Sequence, residues 1–322
     1  MVQTQFEYDF VSGDIAAFLR YKYYGASQSF TLSAFDTLSF KPLSSSSLDF
    51  ERVRGVNGLL RRSLSLDARL LLLGEVDRLT FSKVHQNPDN QRTNVILKGG
   101  FQYGIGDDEK SNRISGDPTE RIRRLFSAYR TIGAGGRSFS AALTLGTPAG
   151  DFAYLKAEGE GIQVLDLGGP RLVGRLHVGL FPWRPYGPPD ESSIEKPFQI
   201  PGAEFFHLDG RDALKGAKTT ERGVNEVHLT GEGFFPVFES RDISFSRVSL
   251  NNFHAVGYLG FGNVGDTGAV FTRLHDYRAD VGVGFEASFS YRRYKIFISA
   301  LAARVIQESG SPRFLLSARS LN

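Results

Sequence analysis

Apolar and polar residues alternate along most of this chain with a period of two. Between Glu226 and Glu232, one set is Val227, Leu229 and Gly231, and the other is Glu226, His228, Thr230 and Glu232. From Asp280 to Tyr291, Val281, Val283, Phe285, Ala287, Phe289 and Tyr291 alternate with Asp280, Gly282, Gly284, Glu286, Ser288 and Ser290. Shorter dyads occur at Phe139, Ala141, Leu143 and Leu145, at Leu172, Gly174, Leu176, Val178 and Leu180, and at Leu64, Leu66, Ala68 and Leu70. A period of two places each set on one face of a β-strand. The second face carries Gly, Ser, Thr and charges, so it is wet or polar rather than a dry core.

The pattern predicts strands near 2–10, 14–24, 28–40, 48–54, 61–73, 76–84, 93–106, 124–134, 138–147, 151–162, 171–182, 225–238, 253–263, 279–291, 294–305 and 313–321. That is about 16, an even number, as a closed antiparallel bacterial barrel requires. The fourth segment is short. The eighth competes with a helix, because Asp117-Pro118-Thr119-Glu120 resembles a helix start and Ile122, Leu125, Phe126 and Tyr129 follow helical spacing. The longest connection, 182–224, opens with Pro182-Trp183-Arg184-Pro185-Tyr186-Gly187-Pro188-Pro189, which a strand or helix interior does not tolerate. A loop of that length is usually functional or disordered.

Composition narrows the class. The 322 residues include 36 Gly, 27 Phe and 12 Tyr, with one Trp, one Met and no Cys. That length fits two globular domains or one large all-β body. A net charge of +3, scattered along the chain, argues against a dedicated nucleic-acid binder. Without cysteine there is no disulfide scaffold, thiolate nucleophile or zinc ribbon. No apolar run is long enough for a transmembrane helix, but a transmembrane β-barrel splits its apolar residues by alternation and passes unseen in a hydropathy average. Met1 leads directly into an alternating strand pattern with no basic or apolar leader. The expectation is a fragment or mature domain without its signal.

Several constellations bear on chemistry. His177, His228 and His254 fall on the polar phase of three successive strand patterns, with Glu226 and Glu232 beside them. A His/carboxylate cluster can bind a transition metal, but polar barrel walls are ordinarily rich in such side chains, and no metal or cofactor is assigned. His207 and His275 fall in loop-like sequence. Ser, His and Asp are all abundant, but none sits in a nucleophile elbow. Gly133-Ala134-Gly135-Gly136 lacks the Lys-Ser/Thr of a phosphate loop. Arg121, Arg123, Arg124 and Arg130 read as a solvated rim, and Arg52, Arg54, Arg61 and Arg62 as a membrane–water boundary. Tyr21, Tyr23 and Tyr24 fit an aromatic girdle, although a soluble β-sandwich core would also hold them.

The last third resembles the C-terminal half of the bacterial surface-antigen barrel of outer-membrane assembly factors and two-partner-secretion transporters. Leu208-Asp209-Gly210-Arg211-Asp212-Ala213-Leu214-Lys215-Gly216-Ala217 resembles the family's LGG, three residues, LRGY. Glu232, Phe234 and Pro236 stand where the family often has ExRxP. Tyr258-Leu259-Gly260-Phe261-Gly262-Asn263-Val264 is similar to its FxDxGNV. In the family the long loop folds into the lumen, and the Arg of its tip pairs with the Asp of FxDxG. Here Lys215 and Gly260 stand at those positions, Ala217 replaces the aromatic, and Phe234 replaces the Arg of ExRxP. Losing one partner alone would leave a charge poorly solvated inside the barrel, so the paired loss implies either that the loop is secured in another way or that the transport function has lapsed. The expectation is that Lys215 pairs with a lumenal carboxylate, Glu232 or Glu286. The chain ends Arg319-Ser320-Leu321-Asn322 rather than on the family's aromatic residue, and the expectation is either assembly by another route or a trimmed chain.

The resemblance implies one all-β domain over 1–322, a transmembrane antiparallel β-barrel with a reentrant loop near 182–224. It implies residence in the outer membrane of a Gram-negative cell and a role in protein insertion or translocation. The implied partners are outer-membrane lipid, an unfolded client polypeptide and a POTRA-like or enzymatic domain upstream, with no nucleic acid and no catalysis of its own. Two alternatives stay open. One is the anchor or exit barrel of a fused periplasmic hydrolase, patatin-like or metallopeptidase. The other is a soluble β-rich binding protein, which needs an apolar interior and a polar exterior.

Overall fold

The computed structural model describes residues 2–8, 15–25, 27–44, 47–65, 68–81, 91–104, 136–183, 205–208, 214–216, 222–238, 243–245, 248–291, 294–307 and 311–321. The elements are β1 (Val2–Tyr8), β2 (Ile15–Tyr24), β3 (Gln28–Ser44), β4 (Ser47–Ser63), β5 (Ala68–Phe81), β6 (Gln91–Tyr103), β7 (Gly136–Gly146), β8 (Tyr154–Asp166), β9 (Arg171–Trp183), β10 (Phe206–His207), β11 (Arg222–Gly223), β12 (Asn225–Phe238), β13 (Ile243–Phe245), β14 (Val248–Gly265), β15 (Arg278–Tyr291), β16 (Tyr294–Val305) and β17 (Arg313–Leu321). Two 3-10 turns, Gly268–Phe271 and Leu274–Asp276, join β14 to β15.

One antiparallel sheet runs β1 to β9 in chain order, then β12, β14, β15, β16 and β17, with β13 paired to the start of β14. Along this up-and-down path each long strand pairs with the long strand that precedes it in the chain. β10 and β11 form a separate two-residue ribbon inside the connection between β9 and β12.

The burial of this sheet is inverted relative to a soluble protein. On β7 the exposed positions include Phe139, Leu143 and Leu145, while Ser138, Ser140 and Thr144 are buried. On β12 Leu229 is exposed between buried His228 and Thr230, and on β15 Val281, Val283 and Phe285 face outward while Asp280 is buried. Soluble monomers rarely expose so continuous an apolar surface. An apolar exterior around a polar interior is the arrangement that lipid demands, because the medium outside is itself hydrocarbon. It is the opposite of what the soluble alternative needs.

Several charged groups of the interior are paired. Lys98 Nζ lies 3.1 Å from Glu158 Oε2, Lys156 Nζ lies 3.4 Å from Glu158 Oε1, and Arg175 Nε lies 3.4 Å from Glu160 Oε1. Asn57 donates to Glu75 at 3.0 Å. Buried charge is tolerated here because each group has a partner close by.

The strand pattern differs from the expected one in three places. The three segments expected at 48–54, 61–73 and 76–84 are two long strands, β4 and β5. The Leu64-to-Leu70 alternation runs through a turn in which Leu64 N–H and Ser65 N–H donate to Ala68 O at 2.8 and 3.1 Å, and Ser65 Oγ accepts from Ala68 N–H at 3.1 Å. Alternation continued across a tight hairpin, so periodicity did not mark it. The segment expected at 124–134 lies outside the described residues, as do the Arg121–Arg130 cluster and Gly133–Gly135. The continuous path therefore has fourteen strands among the described residues, against about 16 expected. Finally, β9 continues through Pro182 to Trp183. The β8–β9 register shifts between Leu155 and Ala157, and a bulge at a strand end is where proline loses no ladder hydrogen bond.

Candidate functional site

The site is the inner wall of β8, β9, β12, β14 and β15 together with the part of the long connection that lies against it. Phe205, Phe206, Leu208 and Leu214 from that connection are buried. The described parts of the loop thus lie in the interior. Two separate seats receive it.

The first seat is aromatic. Phe206 meets Phe181 edge-on at 5.6 Å between centroids, and Phe181 packs against Tyr154 at 5.7 Å. Lys156 Nζ sits over the Phe206 ring at 4.6 Å. Phe35, Phe152, Phe205 and Val224 complete the cluster. Edge-on packing and a cation over the ring face both follow the aromatic quadrupole. Gly179 on β9 makes room, since a Cβ there would overlap the Phe206 ring.

The second seat holds the loop tip. Leu214 N–H donates to Leu208 O at 2.9 Å. Lys215 Nζ pairs with Glu232 Oε1 on β12 and lies 4.6 Å from the centre of the Tyr258 ring on β14. Its backbone N–H donates to Tyr258 Oη at 3.3 Å. The next N–H, of Gly216, donates to Asp280 Oδ2 on β15 at 2.7 Å. Leu208, Leu214 and Val305 form a small apolar cluster around these polar contacts.

Two wall glycines fit the tip by lacking a side chain. At Gly260 a Cβ would collide with Asp280 Oδ1, Tyr258 Oη and Leu214. At Gly262 it would come within 2.7 Å of Leu208 and 3.0 Å of His228 Cβ. Glycine is favoured where other chain segments must approach this closely.

The sequence-predicted residues are thus distributed as follows. Leu208, Leu214, Lys215, Gly216, Glu232, Gly260 and Gly262 come together at the tip seat. Of the two carboxylates expected for Lys215, Glu232 is the one it meets. Glu286 lies on β15 opposite His254 and Ser299. It is six residues beyond Asp280, about 20 Å along the strand. Pro236 lies on β12 opposite His254, next to a register shift. Gly210 and Ala217 lie outside the described residues.

Sequence reasoning missed Asp280, Tyr258, Phe206 and Lys156 as seat residues. Asp280 was already on the polar phase of its strand, and Phe205-Phe206 are adjacent aromatics in a Pro-rich, polar loop, so each left a signal. Only cross-strand register could show where either points. The histidines separate: His177 and His228 are cross-strand partners, whereas His254 is on β14 opposite Pro236 and Glu286. His275 is exposed and lies 2.9 Å from Asp276.

No protein-family model matches this chain, and no curated protein sequence matches it significantly. Solved structures do match it in fold. BamA from Haemophilus ducreyi lacking POTRA domains 1–3 superposes with a TM-score of 0.63 at 12% identity, over 96% of this chain and 62% of that one. CdiB from Escherichia coli gives 0.57 at 14% identity over 95% and 52%, and CdiB from Acinetobacter baumannii 0.55 at 10% identity over 99% and 52%. The chain therefore spans between 52% and 62% of the length of these structures. With its apolar exterior and polar inner wall, the chain has the antiparallel β-barrel fold of the BamA and CdiB structures.

Proposed function

We propose that this chain is the membrane-embedded barrel of a device that inserts polypeptides into an outer membrane or carries them across it. The observation that carries this reading is the loop fastened inside the barrel at two seats, on a fold shared with BamA and CdiB, which are assembly and two-partner-secretion barrels. A loop so held stiffens the β8–β15 wall while β1 and β17 stand at the two ends of the strand path. A client strand adds to either edge through main-chain hydrogen bonds, which are indifferent to its sequence. The client is an unfolded polypeptide, and a POTRA-like domain is the natural partner for delivering it.

The chain has no cysteine, and single photo-crosslinking residues at Gln5 of β1, Leu316 of β17 and Val283 of the outer wall provide the test. In cells, Gln5 and Leu316 should give adducts with exported polypeptides and Val283 should not. Equal labelling at all three, or no polypeptide adduct at either edge, removes the transport reading. It would leave the alternative of an anchor for a fused hydrolase.

A further inference from the structure

Three inner-wall side chains that neither loop seat uses as an anchor converge between β9 and β12. His177 and His228 are direct partners in the register, with ring centroids 4.9 Å apart. Glu226 precedes His228 by two residues and shares its face. Its Oε1 is 3.1 Å from His228 Nδ1, and its Oε2 is 3.5 Å from His177 Nδ1. One ligand atom from each residue lies within 4.8 Å of the other two.

Two features set this group apart from the rest of the wall. The side chains of Glu226 and His228 are only 3% and 5% exposed. Withdrawing a carboxylate so far from water is costly without a cation beside it. Glu158 and Glu160 have lysine or arginine for that purpose, whereas Glu226 has two imidazoles. In addition, His177 Nδ1 is buried with only the long 3.5 Å approach of Glu226 Oε2. A buried imidazole nitrogen held so loosely is weakly satisfied, and a bound ion between the two side chains is one way to satisfy it.

We propose that His177, Glu226 and His228 form a binding site for a divalent transition-metal ion of the zinc class in the barrel wall. Two imidazoles and one carboxylate suit zinc and its neighbours, while calcium and magnesium require oxygen ligands. Zinc bonds of about 2.0–2.1 Å place adjacent tetrahedral ligands about 3.3 Å apart, and the two N···O separations bracket that spacing. Three protein ligands leave a fourth position for water. His177, 17% exposed, is the member through which solvent reaches the group. Phe206 packs edge-on to His177 at 6.2 Å, and Leu208 lies over Gly262 beside His228. A bound ion would therefore tie β9 to β12 directly beneath the loop. This site does not depend on the transport reading.

The test uses the full chain refolded in phospholipid vesicles, stripped with chelator and dialysed against zinc chloride, with bound zinc measured by mass spectrometry. One equivalent per chain is expected. His177→Gln and Glu226→Gln should each weaken binding by at least about tenfold, while His254→Gln leaves it unchanged. Cobalt gives a second readout, since the strong visible absorption of four-coordinate Co(II) should vanish in His177→Gln. Folding of every variant is checked by heat-modifiable electrophoretic mobility, and the partly exposed His177 carries the test if Glu226→Gln fails to fold. No saturable zinc binding, or binding indifferent to His177→Gln, overturns the proposal.

Discussion

Asp280 stands directly across from Gly260 in the β14–β15 register, and its carboxylate occupies the space that a side chain at Gly260 would fill. The acid that the resemblance placed on β14 is thus supplied from the neighbouring strand. Asp280 accepts the Gly216 N–H rather than a cationic side chain, and the cation of the loop tip turns to Glu232 on the other side. Loss of the Arg–Asp pair is matched by two new contacts, each made by a different wall strand.

That exchange predicts a swap. Gly260→Asp alone should force the loop tip out, because a second carboxylate would overlap Asp280 and Leu214. The readout is faster proteolysis within 184–224 at unchanged barrel mobility. Combining Gly260→Asp with Asp280→Gly should restore protection at least in part. If the single substitution leaves cleavage unchanged, Gly260 is not the seat of the tip.

Lys215 and Glu232 should be energetically coupled. Both side chains are mostly buried, at 14% and 19% exposure, so solvent screens the pair only partly. A double-mutant cycle of Lys215→Met and Glu232→Gln should give on the order of 1–2 kcal/mol of interaction, read from urea unfolding in vesicles. Additive effects would show that the pair contributes nothing beyond proximity.

Phe206→Ala should release the other seat. Removing a buried phenylalanine ring costs about 3–5 kcal/mol, and this ring joins the loop to β8 and β9 through Lys156 and Phe181. Because the loss falls on docking rather than on the sheet, the expected signature is loop cleavage with strand content unchanged in circular dichroism. Global unfolding at lower urea would instead make Phe206 part of the barrel core.

The outer face can be tested by charge. Val283 is 71% exposed near the middle of β15. Arginine there should destabilise the vesicle-embedded barrel by about 2–4 kcal/mol. On a water-facing surface the same change is usually within about 0.5 kcal/mol. A near-zero effect would place β15 outside the bilayer.

Trp183 is the single tryptophan and lies exposed at the end of β9. Its fluorescence should be quenched by brominated lipid and little affected by an aqueous quencher. The reverse result would contradict an interfacial position.

The alternation alone determined which residues share a face, since Val227 and Leu229 on one strand, and Val281 and Val283 on another, fall on the same side of their strand whatever the register. Strand side chains point by parity, a local property of the backbone. Tertiary structure decided everything that depends on which residues lie side by side. Whether Lys215 meets Glu232 or Glu286, that Asp280 covers Gly260, and that His177 meets His228 but not His254 are set by cross-strand register and by the path of the loop. A one-residue change in register turns a strand's side chains to the other face. Parity within a strand carries no record of its neighbour's offset, and so the faces were legible in the sequence while the contacts across them were not.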